Sequence, residues 1–232
     1  MHLIQFAVRR RDPLYREFLR GQQGAYARRG HQAMVRFGTG DPRIGADELS
    51  CVAAVDDGRL VGGLRVHRGV AGELPSEIHL ASAEVTAAVA RARDRGEAVA
   101  ELSGAWVAPE WQGRHLVHLL MATGIAAAEA LGATALLGSC SARLMPTYER
   151  TGFRWRRELP LTDRPFPGDT SYFALDPISA MRARGAGLAS VLALLEPEVR
   201  DGQGAVPEPV LRRCAERLGL QVFASPLLPR CS

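Results

Sequence analysis

The chain has 232 residues, of which 47% are hydrophobic, and a formal net charge of +4 at pH 7. This length and composition allow one large or two small globular domains, each with a packed core. All 29 basic residues are arginine, so the sequence excludes a Schiff-base lysine, a lysine nucleophile and a phosphate-binding lysine of the Walker type.

Charge and cysteine patterns bear on partners and compartment. The arginine clusters at 9–11 and 154–157 have few aromatic neighbours, which indicates a solvated surface or an anionic donor rather than a nucleic-acid site. The four cysteines lie far apart without a Cys-x-x-Cys pair, which favours isolated thiols in a reducing compartment. The N-terminal apolar run is too short for secretion, and no segment is long enough to span a bilayer. We therefore expect a cytoplasmic protein that binds no metal, nucleic acid or membrane.

The first part of the chain predicts a strand, a helix and a hairpin. Residues 3–8 form the first strand, and a helix over 12–29 begins with Pro13 in its first turn. After a loop at 38–45, alternating apolar segments at 51–55 and 60–67 flank an Asp-Gly pair, which is a strong hairpin signal. Residues 73–96 carry apolar side chains at helical spacing and predict one helix of about five turns.

The central segment, residues 106–153, places a glycine-containing turn between a strand and a helix. The turn Gln112-Gly113-Arg114 opens a helix with an apolar stripe that ends at Gly132. The first turn of a helix leaves backbone N–H groups without intrahelical partners, so this turn predicts an anion site for a pyrophosphate. Arg114 would add a charge-assisted contact, whereas His118 falls on the polar side of the helix and is expected at the surface. A strand over 134–140 follows.

Val107 to Leu120 resembles the acyl-CoA-binding motif of the GNAT superfamily of N-acyltransferases. In that family a Gln or Arg opens the loop, and small residues follow at the third and fifth positions after it. Gln112 and Gly113-Arg114 match this pattern, whereas His115 and Val117 occupy the two small positions. The run from Tyr148 to Phe153 is similar to the family's tyrosine-containing segment ending in Gly-Phe. The resemblance implies a set of donor-binding residues: Val107, Ala108, Gln112, Gly113, Arg114, His115, Leu116, Val117 and Ser141.

The same resemblance implies an α/β (α+β) fold. It would have a GNAT-like mixed, mostly antiparallel central sheet with splayed central strands flanked by helices, over residues 1–175. A mostly helical C-terminal extension at 176–232 would pack on it. The co-substrate would be acetyl-CoA or another acyl-CoA, and the acceptor a small-molecule amine. An acyl carrier protein as partner and a homodimer stay open as alternatives.

The segment between the hairpin and the strand that starts at Glu101 supports a second interpretation. It is similar to the acyl-homoserine-lactone synthases and the related long-chain N-acyl amino acid synthases, which are GNAT-fold enzymes that take acyl chains from acyl carrier protein or CoA. A donor without the 3′-phosphoadenosine of CoA would place less demand on the loop at His115.

Acylation of an amine needs a base, a donor to the oxyanion and an acid for the thiolate. Relatives often place a Glu on the strand leading into the motif, which makes Glu101 the candidate base. A β-bulge predicted at Ser103-Gly104 would turn it toward the gap between the splayed strands. An edge carboxylate in a salt bridge is an equal alternative. Tyr148 is the candidate acid, because a phenol can protonate a thiolate, and a tyrosine that only packs on the sheet is the alternative.

The oxyanion donor is expected to be a backbone N–H of Val107 or Ala108. Ser141 stands where relatives commonly carry Asn and either takes over its hydrogen bond or caps a helix. Because His115, Val117 and Ser141 depart from the family pattern together, a non-catalytic acyl-CoA-binding module of GNAT fold stays in competition with the enzyme.

The rest of the chain predicts two strands, two helices and a linker. Strands are expected at 154–159 and 170–175, separated by a turn-rich segment at 162–169. Helices are expected at 178–195 and 210–218, separated by a Gly/Pro linker at 201–209 and followed by an apolar run at 221–228.

Overall fold

A computed structural model describes residues 1–8, 12–30, 49–69, 73–80, 82–161, 170–185, 187–199 and 204–222 of the chain. Fifteen helices and strands longer than a single 3₁₀ turn lie within these ranges. In chain order they are β1 (His2–Ala7), α1 (Pro13–Ala27), β2 (Leu49–Asp56), β3 (Arg59–Arg68), α2 (Pro75–His79), α3 (Ala83–Asp94), β4 (Val99–Val107), α4 (Leu116–Ala130), β5 (Ala135–Ser141), α5 (Met145–Glu149), β6 (Ser171–Pro177), α6 (Ile178–Arg184), α7 (Leu188–Leu195), β7 (Gly204–Val206) and α8 (Glu208–Arg217).

The strands form one mixed, mostly antiparallel sheet in the order β6-β5-β4-β3-β2-β1-β7. The predicted hairpin joins β2 and β3, and its turn residues Asp57 and Gly58 have φ of 47° and 71°. Two consecutive left-handed residues match the right-handed twist of the strands that they connect. The predicted α/β fold class is confirmed.

The central strands β4 and β5 run parallel and then part. They pair only from Val99 opposite Ala135 to Leu102 opposite Gly138, although β4 continues to Val107 and β5 to Ser141. Beyond Leu102 two residues of β4, Gly104 and Ala105, lie opposite one residue of β3. Gly104 has φ of 63°, so a bulge is present, one residue beyond the predicted Ser103-Gly104 pair, because Ser103 still lies opposite Arg65. The sheet therefore splits between β4 and β5.

Helices cover both faces of the sheet. α4 packs on one face against β2, β3 and β4, and α1 and α3 pack on the other. α7 and α8 pack on the far side of α4, which leaves the helix buried nearly all round. The expectation that His118 lies at the surface is wrong: the side chain is 5% exposed and interacts with the backbone of Thr147 in α5.

Two helices predicted as continuous are broken. The helix expected over 73–96 is divided into α2 and α3, because Ser82 caps α3 by accepting a hydrogen bond from the backbone N–H of Val85. The helix expected over 178–195 is divided into α6 and α7, and Gly187 immediately before α7 has φ of 74°. A left-handed residue cannot continue a right-handed helix.

Two further corrections concern the sheet. Residues 154–159 do not form a strand; they run beside β6, and the Arg156 N–H donates to the Phe173 carbonyl at 2.9 Å. The segment predicted as a linker at 201–209 contains β7, which pairs with β1. The boundary at residue 176 between a GNAT-like domain and an extension stays a prediction.

Several predicted features lie outside the described residues: the loop at 38–45, the turn-rich segment at 162–169, the arginine cluster at 9–11 and most of the apolar run at 221–228. Among the helices that the structure describes, none has the length and apolar character needed to cross a membrane.

Candidate active site

Two cavities meet where the sheet splits. The larger, of about 440 Å³, lies between the separated ends of β4 and β5. The smaller, of about 160 Å³, lies beside the first turn of α4. Five residues line both cavities, so together they form one continuous candidate site: Tyr26, Arg29, Ala105, Leu144 and Tyr148.

The larger cavity is lined from both faces of the sheet. Successive side chains of a strand point to opposite faces, so the separated ends of β4 and β5 present one apolar and one polar set. The apolar half, on the α4 face, is lined by Leu64, Leu102, Met121, Cys140, Phe153 and Trp155. The polar half, on the opposite face, is lined by Arg65, Ser76, Glu101, Ser103, Ser139 and Ser141.

Glu101 lies in the polar half and is 2% exposed. The backbone N–H of Ser76 donates to one carboxylate oxygen at 2.9 Å, and its hydroxyl donates to the other at 2.8 Å. Burial raises the pKa of Glu101 to about 7, although the Ser76 hydrogen bonds and the Arg65 charge act in the opposite direction. A carboxylate with such a pKa can accept a proton near neutral pH. The alternative of an edge carboxylate is wrong, because β4 is a central strand.

Tyr148 lies on α5, between the two cavities. Burial raises the pKa of its phenol well above the ordinary value, so the hydroxyl keeps its proton at neutral pH. Its ring centroid lies 6.1 Å from that of Trp155, which lines the apolar half. Tyr26 of α1 approaches from the other side, and its hydroxyl donates to the carbonyl of Ala105 at 3.2 Å.

The predicted donor-binding loop lines the smaller cavity. Gly113 and His115 have φ of 75° and 58°, which bends the chain sharply into α4. Arg114 is an exception: its guanidinium carbon stacks 5.1 Å from the centroid of the Trp111 ring, and it lines neither cavity. Ser141 lines the larger cavity. The remaining predicted residues at the smaller cavity are Val107, Gln112, Gly113, His115, Leu116 and Val117.

The two predicted backbone donors differ in availability. The Ala108 N–H donates to the Val61 carbonyl at 2.8 Å and lines neither cavity, so a role as oxyanion donor is excluded by its place in the sheet. Successive N–H groups of a strand point to opposite edges. The Val107 N–H therefore points away from β3, toward the split.

Reasoning from sequence missed the polar residues contributed by α1, the turn that follows it, α2 and β3. Tyr26, Arg29 and Ser76 lie far along the chain from the GNAT-like motif, and no local pattern marks them. Arg65 had a usable signal, because it is a charged residue inside the apolar run Leu60 to His67 and is 2% exposed. Within the described residues no group of three or more His, Cys, Asp and Glu side chains is placed to hold a metal ion.

Central parallel strands that part beside the N-terminus of a helix are the arrangement expected of a GNAT fold, and together with the family match they identify this chain as an acyltransferase of that fold. More particularly, it belongs to the N-acyl amino acid synthase FeeM family, whose model matches residues 23–160. No curated protein sequence matches the chain.

Solved structures of similar fold include synthases of two kinds. FeeM, an N-acyl amino acid synthase from uncultured soil microbes, aligns over 82% of this chain and 99% of its own, with 13% identity and a TM-score of 0.60. BjaI is a CoA-dependent acyl-homoserine lactone synthase solved with SAM and isopentyl-CoA. It aligns over 91% of this chain and 98% of its own, with 17% identity and a TM-score of 0.55. TofI, solved with an inhibitor and MTA, aligns over 79% and 96%, with 19% identity and a TM-score of 0.51.

Proposed function

We propose that the protein transfers an acyl group from an acyl thioester to the amine of an amino acid, by direct attack through a tetrahedral intermediate. The observation that carries this proposal is the larger cavity, which joins an apolar half to a polar half across the split in the sheet. The family name supports an amino acid as acceptor. The same cavity is lined by Arg29, Arg65 and Arg143, whose guanidinium groups could bind the carboxylate of an amino acid acceptor.

The acyl donor is proposed to enter through the smaller cavity. A pyrophosphate of CoA would lie beside the first turn of α4, and the pantetheine would pass Val107 and Leu116 to the split. The acyl chain would then occupy the apolar half. This arrangement places the thioester between Tyr148 and Glu101, because Tyr148 lines both cavities and Glu101 the larger one.

The proposed chemistry uses three groups of the chain. Glu101 removes a proton from the ammonium, and the freed amine attacks the thioester carbonyl. The Val107 N–H stabilises the resulting oxyanion. As the C–S bond breaks, Tyr148 protonates the thiolate, and the second proton of the attacking nitrogen restores the phenol. The C–N bond of the amide is formed, and the proton on Glu101 returns to solvent.

Product analysis tests this proposal. The protein is incubated with each member of an acyl-CoA series from acetyl to palmitoyl and a mixture of the twenty common amino acids. Mass spectrometry should detect an N-acyl amino acid together with free CoA, and the rate of formation should fall strongly in Glu101→Gln and Tyr148→Phe. Absence of any acylated amine with both acyl-CoA and acyl carrier protein donors would refute the function. Variants as active as wild type would refute the residue roles.

Acyl carrier protein as donor is a second candidate, favoured by Arg114. Its side chain stacks on Trp111 and lines neither cavity, so one cation expected to meet the CoA phosphates lies elsewhere. Rates with acyl-CoA and with acyl carrier protein that carries an acyl group of the same length distinguish the two donors.

A non-catalytic module remains the third candidate, motivated by His115, Val117 and Ser141. Calorimetric binding of acyl-CoA without thiol release would favour it.

A cytoplasmic location is part of the same proposal. Cys51, Cys140 and Cys214 are free, buried thiols, which suits a reducing compartment.

A further inference from the structure

Helix α1 presents two side chains, one turn apart, to the bulge in β4. The Gln22 side-chain amide donates to the carbonyl of Gly104 at 3.1 Å, and the Tyr26 hydroxyl donates to the carbonyl of Ala105 at 3.2 Å. Gln22 is fully buried. Gly104 lines the larger cavity and Ala105 lines both, so these two carbonyls belong to the backbone where the strands part.

The position of these carbonyls matters for the proposed reaction. Beyond Leu102, β4 has no partner on the β5 side, so its backbone groups there are not engaged in a sheet ladder on that side. A carbonyl directs the negative end of its dipole outward. The thioester oxygen gains negative charge in the transition state, and a carbonyl without a hydrogen-bond donor beside it would oppose that change.

We propose that Gln22 and Tyr26 are positioning residues that occupy the carbonyls of Gly104 and Ala105, so that the backbone presents N–H groups rather than carbonyls to the reacting thioester. This inference rests on the proposed acyl transfer. It assigns to α1, which lies outside the GNAT-like motif, a part in forming the electrostatic field of the oxyanion site. The effect falls mainly on the transition state, because the ground-state thioester carries little charge on its oxygen.

Glycines on both elements make this contact possible. Gly21 of α1 lies against the Trp106 ring so closely that a Cβ there would collide with the ring. At Gly104 a Cβ would lie 2.5 Å from the Gln22 amide nitrogen. Phe18 packs edge-on against Trp106, with centroids 5.8 Å apart, and fixes the position of the helix. The approach of Gln22 and Tyr26 to the bulge is therefore built into the packing of α1 on β4.

Tyr26→Phe is the first test, because it removes the hydroxyl and keeps the ring. Steady-state rates are measured with decanoyl-CoA and the amino acid mixture. We expect kcat to fall roughly tenfold, less than for loss of a direct oxyanion donor, with KM for decanoyl-CoA nearly unchanged. Tyr15→Phe is the matched control: Tyr15 is a buried tyrosine of the same helix that lines neither cavity, and its loss of a hydroxyl should leave kcat unchanged.

A second readout does not depend on turnover. The infrared stretch of a ¹³C-labelled thioester carbonyl in bound decanoyl-CoA should lie at higher frequency in Tyr26→Phe and Gln22→Met than in wild type, because the carbonyl is less polarised. Gln22→Met also serves if Tyr26→Phe does not fold.

The possible outcomes distinguish the positioning role of Gln22 and Tyr26 from the proposed acyl transfer itself. Unchanged kcat and an unchanged stretch in both variants would overturn the positioning role while leaving the acyl transfer intact. A rise in KM with kcat unchanged would overturn the positioning role, because it would show that Tyr26 only contributes to substrate binding. Loss of a titrating group from the alkaline side of the pH profile would instead make Tyr26 the acid. If the wild-type protein forms no acylated amine, the proposed function fails and the inference fails with it.

Discussion

Ser76 and Glu101 are joined by two hydrogen bonds, one from the backbone N–H and one from the hydroxyl of the same serine, each to a different carboxylate oxygen. The Ser76 hydroxyl oxygen also lies 3.4 Å from the hydroxyl oxygen of Ser139 on β5. The first turn of α2 thus fixes the orientation of the carboxylate at the split. It also supplies donors that stabilise the ionised form.

Replacing Ser76 by alanine should shift the pH dependence of the reaction. The variant loses the hydroxyl donor and keeps the N–H, so the pKa of Glu101 should rise above about 7, and the acidic limb of kcat/KM should move to higher pH. A shift of up to about one unit is expected for one hydrogen bond. Ser50→Ala, at a buried serine of β2 outside the cavities, is the control. A limb that stays in place or moves to lower pH would contradict the assignment.

Gly104→Ala should destabilise the fold more than the same change at Gly96, another left-handed glycine. A Cβ at this position would lie 2.5 Å from the Gln22 amide nitrogen and 2.6 Å from an Arg65 guanidinium nitrogen, and φ is 63°. The free energy of unfolding in urea should fall by about 3 kcal/mol, from backbone strain and overpacking combined. Gly96→Ala, at φ of 77° with open space around the Cβ, should lose only about 1 kcal/mol. Equal losses would show that the bulge is not tightly packed.

A pair of substitutions at His115 separates backbone strain from the side chain. His115 has φ of 58° immediately before α4, where the family pattern has a small residue. His115→Gly should be more stable than His115→Ala by about 1 kcal/mol, because only glycine adopts this conformation freely. Calorimetry should show that His115→Gly binds CoA at least as tightly as wild type. A glycine variant that loses CoA binding would instead show that the imidazole contacts the donor.

The apolar half of the larger cavity should select acyl chains by length. Each buried methylene is worth about 0.8 kcal/mol, so KM should fall as the acyl chain is extended, until the cavity is full. Met121→Phe places a bulkier side chain in the lining and should raise KM for long acyl-CoA several-fold. Acetyl-CoA, which does not reach that wall, should be unaffected and serves as the internal control. Equal effects on acetyl and long-chain donors would place the acyl chain elsewhere.

The parts of the fold that could be predicted depend on local signals. Asp57-Gly58 predicts the hairpin because both turn residues must be left-handed. The stripe that ends at Gly132 predicts α4 because its period holds over a long window. The break between α2 and α3 was missed because the apolar period continues across Ser82, although a serine before an acidic residue is a capping signal. β7 is three residues long, and its pairing with β1 depends on residues far away in the chain.

The residues of the candidate site also divide into those that a local motif marks and those that only tertiary packing brings together. Gln112, Gly113, His115 and Tyr148 could be found because they belong to contiguous motifs. Tyr26 comes from a separate helix, so its meeting with Ala105 depends on how α1 packs on β4. The burial of His118 was missed because it depends on the packing of α5 beside the start of α4, which no local pattern marks.

The pH dependence of single-turnover acyl transfer by wild type and by Glu101→Gln tests the central claim most directly. Glu101 acts as base only when ionised, so the wild-type rate should rise with pH through about 7 and then level off. Glu101→Gln should be slower above about pH 7 and should lack this limb, so the two rates should converge at low pH. Free CoA and N-acylated product should still form in equal amounts. A variant that retains the wild-type rate and the same limb would show that another group removes the proton.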